Sequence, residues 1–250
     1  MPRLPAAALL ALLAAFSLSA RAASVQVAVA ANLTAPMQKI AAGFAAATGH
    51  RTVVALGSTG KFYAQIRNGA PFEVLLAADD ETPARLEQEG FGVRASRFTY
   101  ATGRLALWSA DAAVVDEQVA VLRHPPAGKM AIADPRVAPY GAAALDVLTK
   151  MGVLADWQPH LVQGENIGQA FQFVASGNAR LGFVALSQVM ADGRIGRGSA
   201  WIVPADLHAP LKQDAILLTR GASNPAARAL LDYLRSDAAR TVLRGYGYAF

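Results

Sequence analysis

The residues best equipped for chemistry stand together at Gly57-Ser58-Thr59-Gly60-Lys61, two hydroxyls and a lysine framed by glycines at the mouth of a helical pattern. Such a stretch has the composition of an oxyanion cradle, because helix-start N–H groups and hydroxyls donate to anionic oxygens. A nucleotide P-loop needs Gly, four residues, Gly, Lys and then a Ser or Thr that holds magnesium. Ala55 stands at the first glycine position and Phe62 follows Lys61, so that motif fails twice. A general oxyanion site survives.

Three more segments carry small or polar residues where a strand gives way to a helix: Ala31-Asn32, Pro139-Tyr140-Gly141 and Asn166-Ile167-Gly168. Each helix start offers unpaired N–H donors and the positive end of a dipole. Asn32, Ser58 and Thr59 add side-chain donors, and Gly60, Gly141 and Gly168 let the backbone come close. Taken singly, each is an ordinary N-cap; four that converge make a ligand site. None contains Arg or Asp. A carboxylate binder sets an arginine against its ligand, and a site for protonated phosphate gains from an acceptor. Neutral donors alone suit a fully ionised oxyanion, which offers acceptors only.

Other reactive residues form no team. Asp79-Asp80-Glu81 precede "TPARLEQEG" and read as acids capping a helix rather than a catalytic pair. His50, His124, His160 and His208 lack metal-ligand spacing. There is no Gly-x-Ser-x-Gly elbow and no cysteine, so the chain reads as a binder and not an enzyme. Lys61 either lends its field to the cleft or sits solvated on a helix face, while Phe62 and Tyr63 read as packing.

The elements that must position these residues alternate strand and helix, the pattern of a parallel α/β architecture. Strands are expected over 24–30, 51–56, 72–78 and 98–110, then at "KMAIADP", "HLVQGEN" and "LGFVAL", and over 214–220. Helices are expected over 35–49, 60–69 and 80–90, then at "YGAAALDVLTKMG", "IGQAFQFVASG" and "SQVMADG", with two more at the C-terminus. No Pro/Gly-rich linker separates independent domains. Two α/β sets joined by long strands suggest two lobes, residues 23–104 with 205–250 and residues 105–204, with the ligand between them beyond the strand ends.

Arg3, the apolar run Ala6 to Phe16 and the small residues of "SARA" read as a signal peptide over residues 1–22, cleaved after Ala22. Of 23 basic residues, Arg3 and Arg21 lie in that leader, leaving 21 against 18 acidic residues in the mature part. So slight and dispersed an excess excludes a nucleic-acid surface. A soluble, exported monomer of a Gram-negative periplasm fits best.

The blocks "VAVAANLTAPMQKIA", "GSTGKFYAQIRNGAPFEVLLAADDETP", "IADPRVAPYGAAALDVL", "ENIGQAFQFVASGNARLGFVAL" and "LLDYLRSDAARTVLRGYGY" resemble the periplasmic molybdate-binding proteins of ABC molybdate transporters. The resemblance is collinear from about Ser24 to Phe250. It implies a type II periplasmic-binding fold that closes on molybdate or tungstate with neutral hydrogen bonds, uses no cofactor and delivers to membrane permease subunits. Asn32 falls on a ligand position with Ala31 beside it, Thr59 matches the ligand hydroxyl with Ser58 adjacent, and Tyr140 and Ile167 match positions used through backbone N–H. Ala185 stands where many members have a ligand tyrosine, which places the chain in a branch with asparagine in the first loop. Sulfate or another tetrahedral oxyanion is the alternative ligand, since charge alone does not separate it from molybdate.

Overall fold

The computed structural model describes residues 22–123 and 128–250. The expected leader, apart from Ala22, and His124 lie outside them.

Two five-stranded sheets build the two lobes. The first runs β2 (Arg51–Gly57), β1 (Ser24–Ala30), β3 (Val74–Leu76), β12 (Leu211–Leu217), β4 (Phe98–Gly103). The second runs β11 (Ser199–Ile202), β5 (Leu105–Ser109), β8 (Leu181–Ala185), β6 (Met130–Ala133), β7 (Leu161–Gly164). A small hairpin pairs β9 (Met190–Ala191) with β10 (Arg194–Ile195). Helices of the first lobe are α1 (Thr34–Thr48), α2 (Thr59–Arg67), α3 (Glu81–Gln88), α9 (Pro225–Leu234) and α10 (Asp237–Gly245). Those of the second are α4 (Ala120–Arg123), α5 (Pro139–Lys150), α6 (Leu154–Trp157), α7 (Ile167–Ala175) and α8 (Leu186–Val189).

The sheets are mixed, whereas alternation predicts parallel ones. β1 pairs parallel with β2 and β3, and β6 with β7 and β8. β12 is antiparallel to β3 and β4, and β5 to β8 and β11. The cause lies in the connections between lobes. Strands of the strand-helix units run toward the cleft, so a chain arriving from the other lobe enters at the cleft and must run away from it. β5 and β12 are the first strands after the two crossings.

The stretch 98–110 accordingly divides at Arg104 into two strands of different sheets. The expected helix at "SQVMADG" shrinks to α8 and the β9–β10 hairpin, and the strand 214–220 shifts to β12 followed by a 3-10 turn at Thr219–Gly221. β11 has no counterpart in the sequence reading, because glycines and arginines around it mask so short a strand.

β1 and β3 are central and buried on both faces, hence their unbroken apolar runs. β2 is an edge, and its Val53, Val54 and Leu56 are exposed. Ala30, Ala31 and Ala78 come from the first lobe yet pack into the core of the second. The lobes are closed on each other.

Within β12 the ladder shifts register between Gln213 and Asp214, and both side chains are fully buried. Asp214 is held by Arg97 Nη1 at 2.6 Å and by the Thr99 hydroxyl at 2.6 Å. A bulge redirects a side chain, and this one turns Gln213 into the space between the lobes. Arg97→Met leaves the Asp214 carboxylate buried without its counter-charge; with Arg97 partly in solvent, stability should fall by about 2–3 kcal/mol. Denaturant unfolding measures this, and an unchanged midpoint would refute the pairing's importance.

Asp79 caps α3 as expected, accepting the Thr82 N–H at 2.8 Å and the Thr82 hydroxyl at 3.2 Å. Burial pushes its carboxyl up to about 6, against the opposing bonds from Thr82. A folded-state pKa above the unfolded value makes this contribution fullest below the unfolded pKa and removes it as pH rises through about 6. Stability should therefore drop by about 3 kcal/mol from this group between acid and neutral pH. Asp79→Asn should flatten that part of the stability profile; an identical profile in the variant would contradict the assignment.

Candidate functional site

The four expected helix starts do meet. Ala31, Asn32, Ser58, Thr59, Tyr140 and Ile167 line one small cavity between the lobes, with Ala30, Gly57, Ala78, Ala138, Pro139 and Asn166. No lining residue carries a charge. The cavity is about 10 Å³, room for the centre of one water-sized sphere, so an oxyanion enters only when the lobes part. A groove of about 340 Å³ beside it is lined by Asp79, Asp80, Glu81 and Asp146 with Arg136. Its acidic lining disfavours an anion, and the smaller cavity is the better anion site.

The local sequence explains the donors. β1, β2, β6 and β7 end at the cleft, and the following helices α1 (through a 3-10 turn at Ala31–Leu33), α2, α5 and α7 begin there. Pro139 opens α5, where its missing N–H costs nothing. Gly141 and Ala142 donate to Ala138 O, while Gln169 and Ala170 donate to Asn166 Oδ1 and O. Tyr140 and Ile167 thus keep first-turn N–H groups with no acceptor along their own helices. A Cβ on Gly141 would collide with Ala133 O, which is why glycine follows Tyr140.

Three polar side chains from the first lobe line the cavity, in different states. The Ser58 hydroxyl is buried with no hydrogen-bond partner among the described residues. Thr59 Oγ1 accepts the Ala78 N–H at 3.0 Å, which leaves its hydrogen to donate. Asn32 departs from its expected role: Nδ2 gives its hydrogens to Gln213 Oε1 at 2.9 Å and Tyr248 Oη at 2.8 Å, and Oδ1 is the buried atom without a partner. The hydroxyl least emphasised by the sequence, Ser58, is the one most available.

Beneath the cavity lies a buried network that sequence reasoning missed. Gln213 Oε1 also accepts from Tyr100, and its Nε2 donates to the Tyr140 hydroxyl at 2.9 Å, a bond from one lobe to the other. The Tyr140 side chain therefore has a role besides the backbone. Ser187 Oγ donates to Asn32 O at 2.7 Å, a second bond across the cleft. Burial pushes the Tyr100 and Tyr140 hydroxyls well above their ordinary value and Tyr248 to about 12, so all three are neutral. The available signal was the polar pair Gln213-Asp214 at the head of the apolar run 215–218.

Further contacts close the mouth. Gly60 N–H donates to Val137 O at 2.9 Å, and Lys61 Nζ meets Glu165 at 2.8 Å. Lys61 is neither a lone field source nor merely solvated, since a carboxylate of the opposite lobe neutralises it. Phe62 packs against Phe72, while Tyr63 lies over Arg85 and bonds Glu89 at the surface. Ala185 is fully buried at the end of β8 and does not line the cavity. No group of three or more metal-ligating side chains occurs among the described residues.

Known proteins resemble this chain in sequence and fold. Molybdate-binding protein ModA of Azotobacter vinelandii is 57% identical over 230 residues, covering 92% of this chain and 91% of that protein. Its namesake from Rhodobacter capsulatus is 51% identical over 239 residues, covering 96% and 93%. The solved structure of the Azotobacter vinelandii periplasmic molybdate-binding protein matches with a TM-score of 0.87 at 38% identity, over 90% of this chain and 99% of that one. The profile described as "Bacterial extracellular solute-binding protein" matches residues 25–249. With its two lobes closed on an uncharged, donor-lined cavity, the chain belongs to the bacterial extracellular solute-binding protein family.

Proposed function

We propose that this chain captures molybdate and tungstate and delivers them to the permease subunits of an ABC importer. The observation that carries the reading is the buried, unpartnered Ser58 hydroxyl in an uncharged cavity lined by helix starts of both lobes. Its relatives' names support the choice of molybdate. The action is capture, closure and release, with no covalent step and no cofactor. Exported as a monomer after cleavage behind Ala22, the protein would work in the periplasm. The lobes divide at the two crossings, residues 23–104 with 205–250 on one side and 105–204 on the other.

Ser58 and Thr59 supply hydroxyl donors, Ala31 and Asn32 the first loop, and Tyr140 and Ile167 backbone N–H groups from the second lobe. Bonds to both lobes stabilise the closed state through differential affinity. A carboxylate would meet no arginine here. Sulfate shares the charge of molybdate, so size must separate the two.

Calorimetry with a panel of oxyanions tests the assignment. Molybdate and tungstate should bind at least about a hundredfold more tightly than sulfate or phosphate, a gap of about 2.7 kcal/mol; equal binding of sulfate would move the chain to the alternative ligand. Ser58→Ala should weaken molybdate binding by about 1.5–3 kcal/mol, the range for a hydrogen bond to a charged group. Lys61→Ala removes an exposed ion pair and should cost less than about 1 kcal/mol. The reverse order of these two losses would show that charge, not neutral donation, holds the anion.

A further inference from the structure

The network beneath the cavity can be wired in two senses. In the present one Asn32 Nδ2 donates to Gln213 and Tyr248, and Gln213 Nε2 donates to Tyr140. Asn32 Oδ1 then lacks a donor, and the Tyr140 hydroxyl hydrogen has no acceptor among the described residues. Turning both amides over exchanges nitrogen for oxygen at each end. Gln213 Nε2 would then donate to Asn32 Oδ1 and Tyr100 Oη, Tyr140 would donate to Gln213 Oε1, and Tyr248 would donate to Asn32 Oδ1. Tyr100 keeps Ala77 O as acceptor, already at 3.0 Å. Every hydroxyl and the whole Gln213 amide are then satisfied.

One group is left over in that second sense: Asn32 Nδ2, standing where Oδ1 stands now, on a residue that lines the cavity. The first sense gives the site an acceptor, and the second gives it donors. Neither amide can turn alone: turning only Asn32 sets its Oδ1 against Gln213 Oε1, two acceptors, and turning only Gln213 sets its Nε2 against Asn32 Nδ2, two donors.

We propose that Gln213 is a positioning residue that sets the sense of Asn32: when a fully ionised oxyanion fills the cavity, the two amides turn over together and Asn32 donates to the anion. This rests on the anion-binding reading above. The β12 bulge, pinned by Asp214 to Arg97 and Thr99, holds Gln213 at the junction. Since Tyr140 is the other partner of Gln213, the turn links the ligand contact of one lobe to the ligand loop of the other. A Cβ on Gly103 would collide with both Tyr140 Oη and Gln213 Nε2, so the crossing strand leaves room for this pair alone.

The test is NMR of the full chain with 15N-labelled Asn and Gln side chains, titrated with molybdate. The Gln213 amide protons should exchange their NOEs to the Tyr140 ring for NOEs to the Tyr100 ring, and the Asn32 amide protons should lose theirs to Tyr248. Gln213→Met keeps the volume without an amide and should weaken molybdate binding at least about tenfold while the Ser58 backbone amide still shifts on saturation. Unchanged NOEs alongside shifts at Ser58 and Tyr140, or wild-type affinity in Gln213→Met, would overturn the turnover alone. No molybdate-induced change anywhere would sink the binding reading and this inference with it.

Discussion

A dianion that can only accept hydrogen bonds, held where no cation is available, must find a neutral donor for each oxygen. On the function proposed above, that constraint organises the molecule. Neutral donors are weak singly and directional, so they must come from several sides at fixed positions. Helix starts supply them cheaply, because the first N–H groups of a helix lack acceptors of their own. The two sheets bring four such starts to one point, two from each lobe.

Closure follows from the same need. Bonds that join the lobes include Gly60 to Val137, Ser187 to Asn32, Tyr248 to Ser187, Gln213 to Tyr140, Gly193 to Gly245, and the exposed pairs of Lys61 with Glu165 and Lys39 with Asp192. Small residues do the packing, with Ala30, Ala31 and Ala78 seated in the opposite core. A ligand that bonds both lobes can shift the balance by its differential affinity. The tyrosines stay neutral throughout, since burial holds their hydroxyls far above neutral pH.

The helix starts were legible because each is a local pattern: small residues, a glycine, and a strand before it. The structure places Ala31, Asn32, Ser58, Thr59, Tyr140 and Ile167, which that pattern singled out, around one cavity. What each atom does was not legible. Asn32 is turned toward Gln213, 181 residues away, and Thr59 is engaged by Ala78. Both depend on contacts between segments that no local pattern joins. The mixed strand directions were missed for a similar reason, as periodicity marks a strand but not the lobe from which the chain arrives. Lys212-Gln213-Asp214 stand at the head of the apolar run 215–218, where a buried bulge and a solvent-facing strand end look alike in sequence.

The salt dependence of molybdate affinity tests the central claim most directly. Neutral donors in a dry cavity are little screened, whereas charge attraction at a cleft mouth falls steeply with ionic strength. Between about 20 mM and about 500 mM sodium chloride, calorimetry should find the dissociation constant changed by less than about threefold. Weakening by more than about tenfold over that range would mean that cations hold the anion, and would contradict a site built from neutral donors.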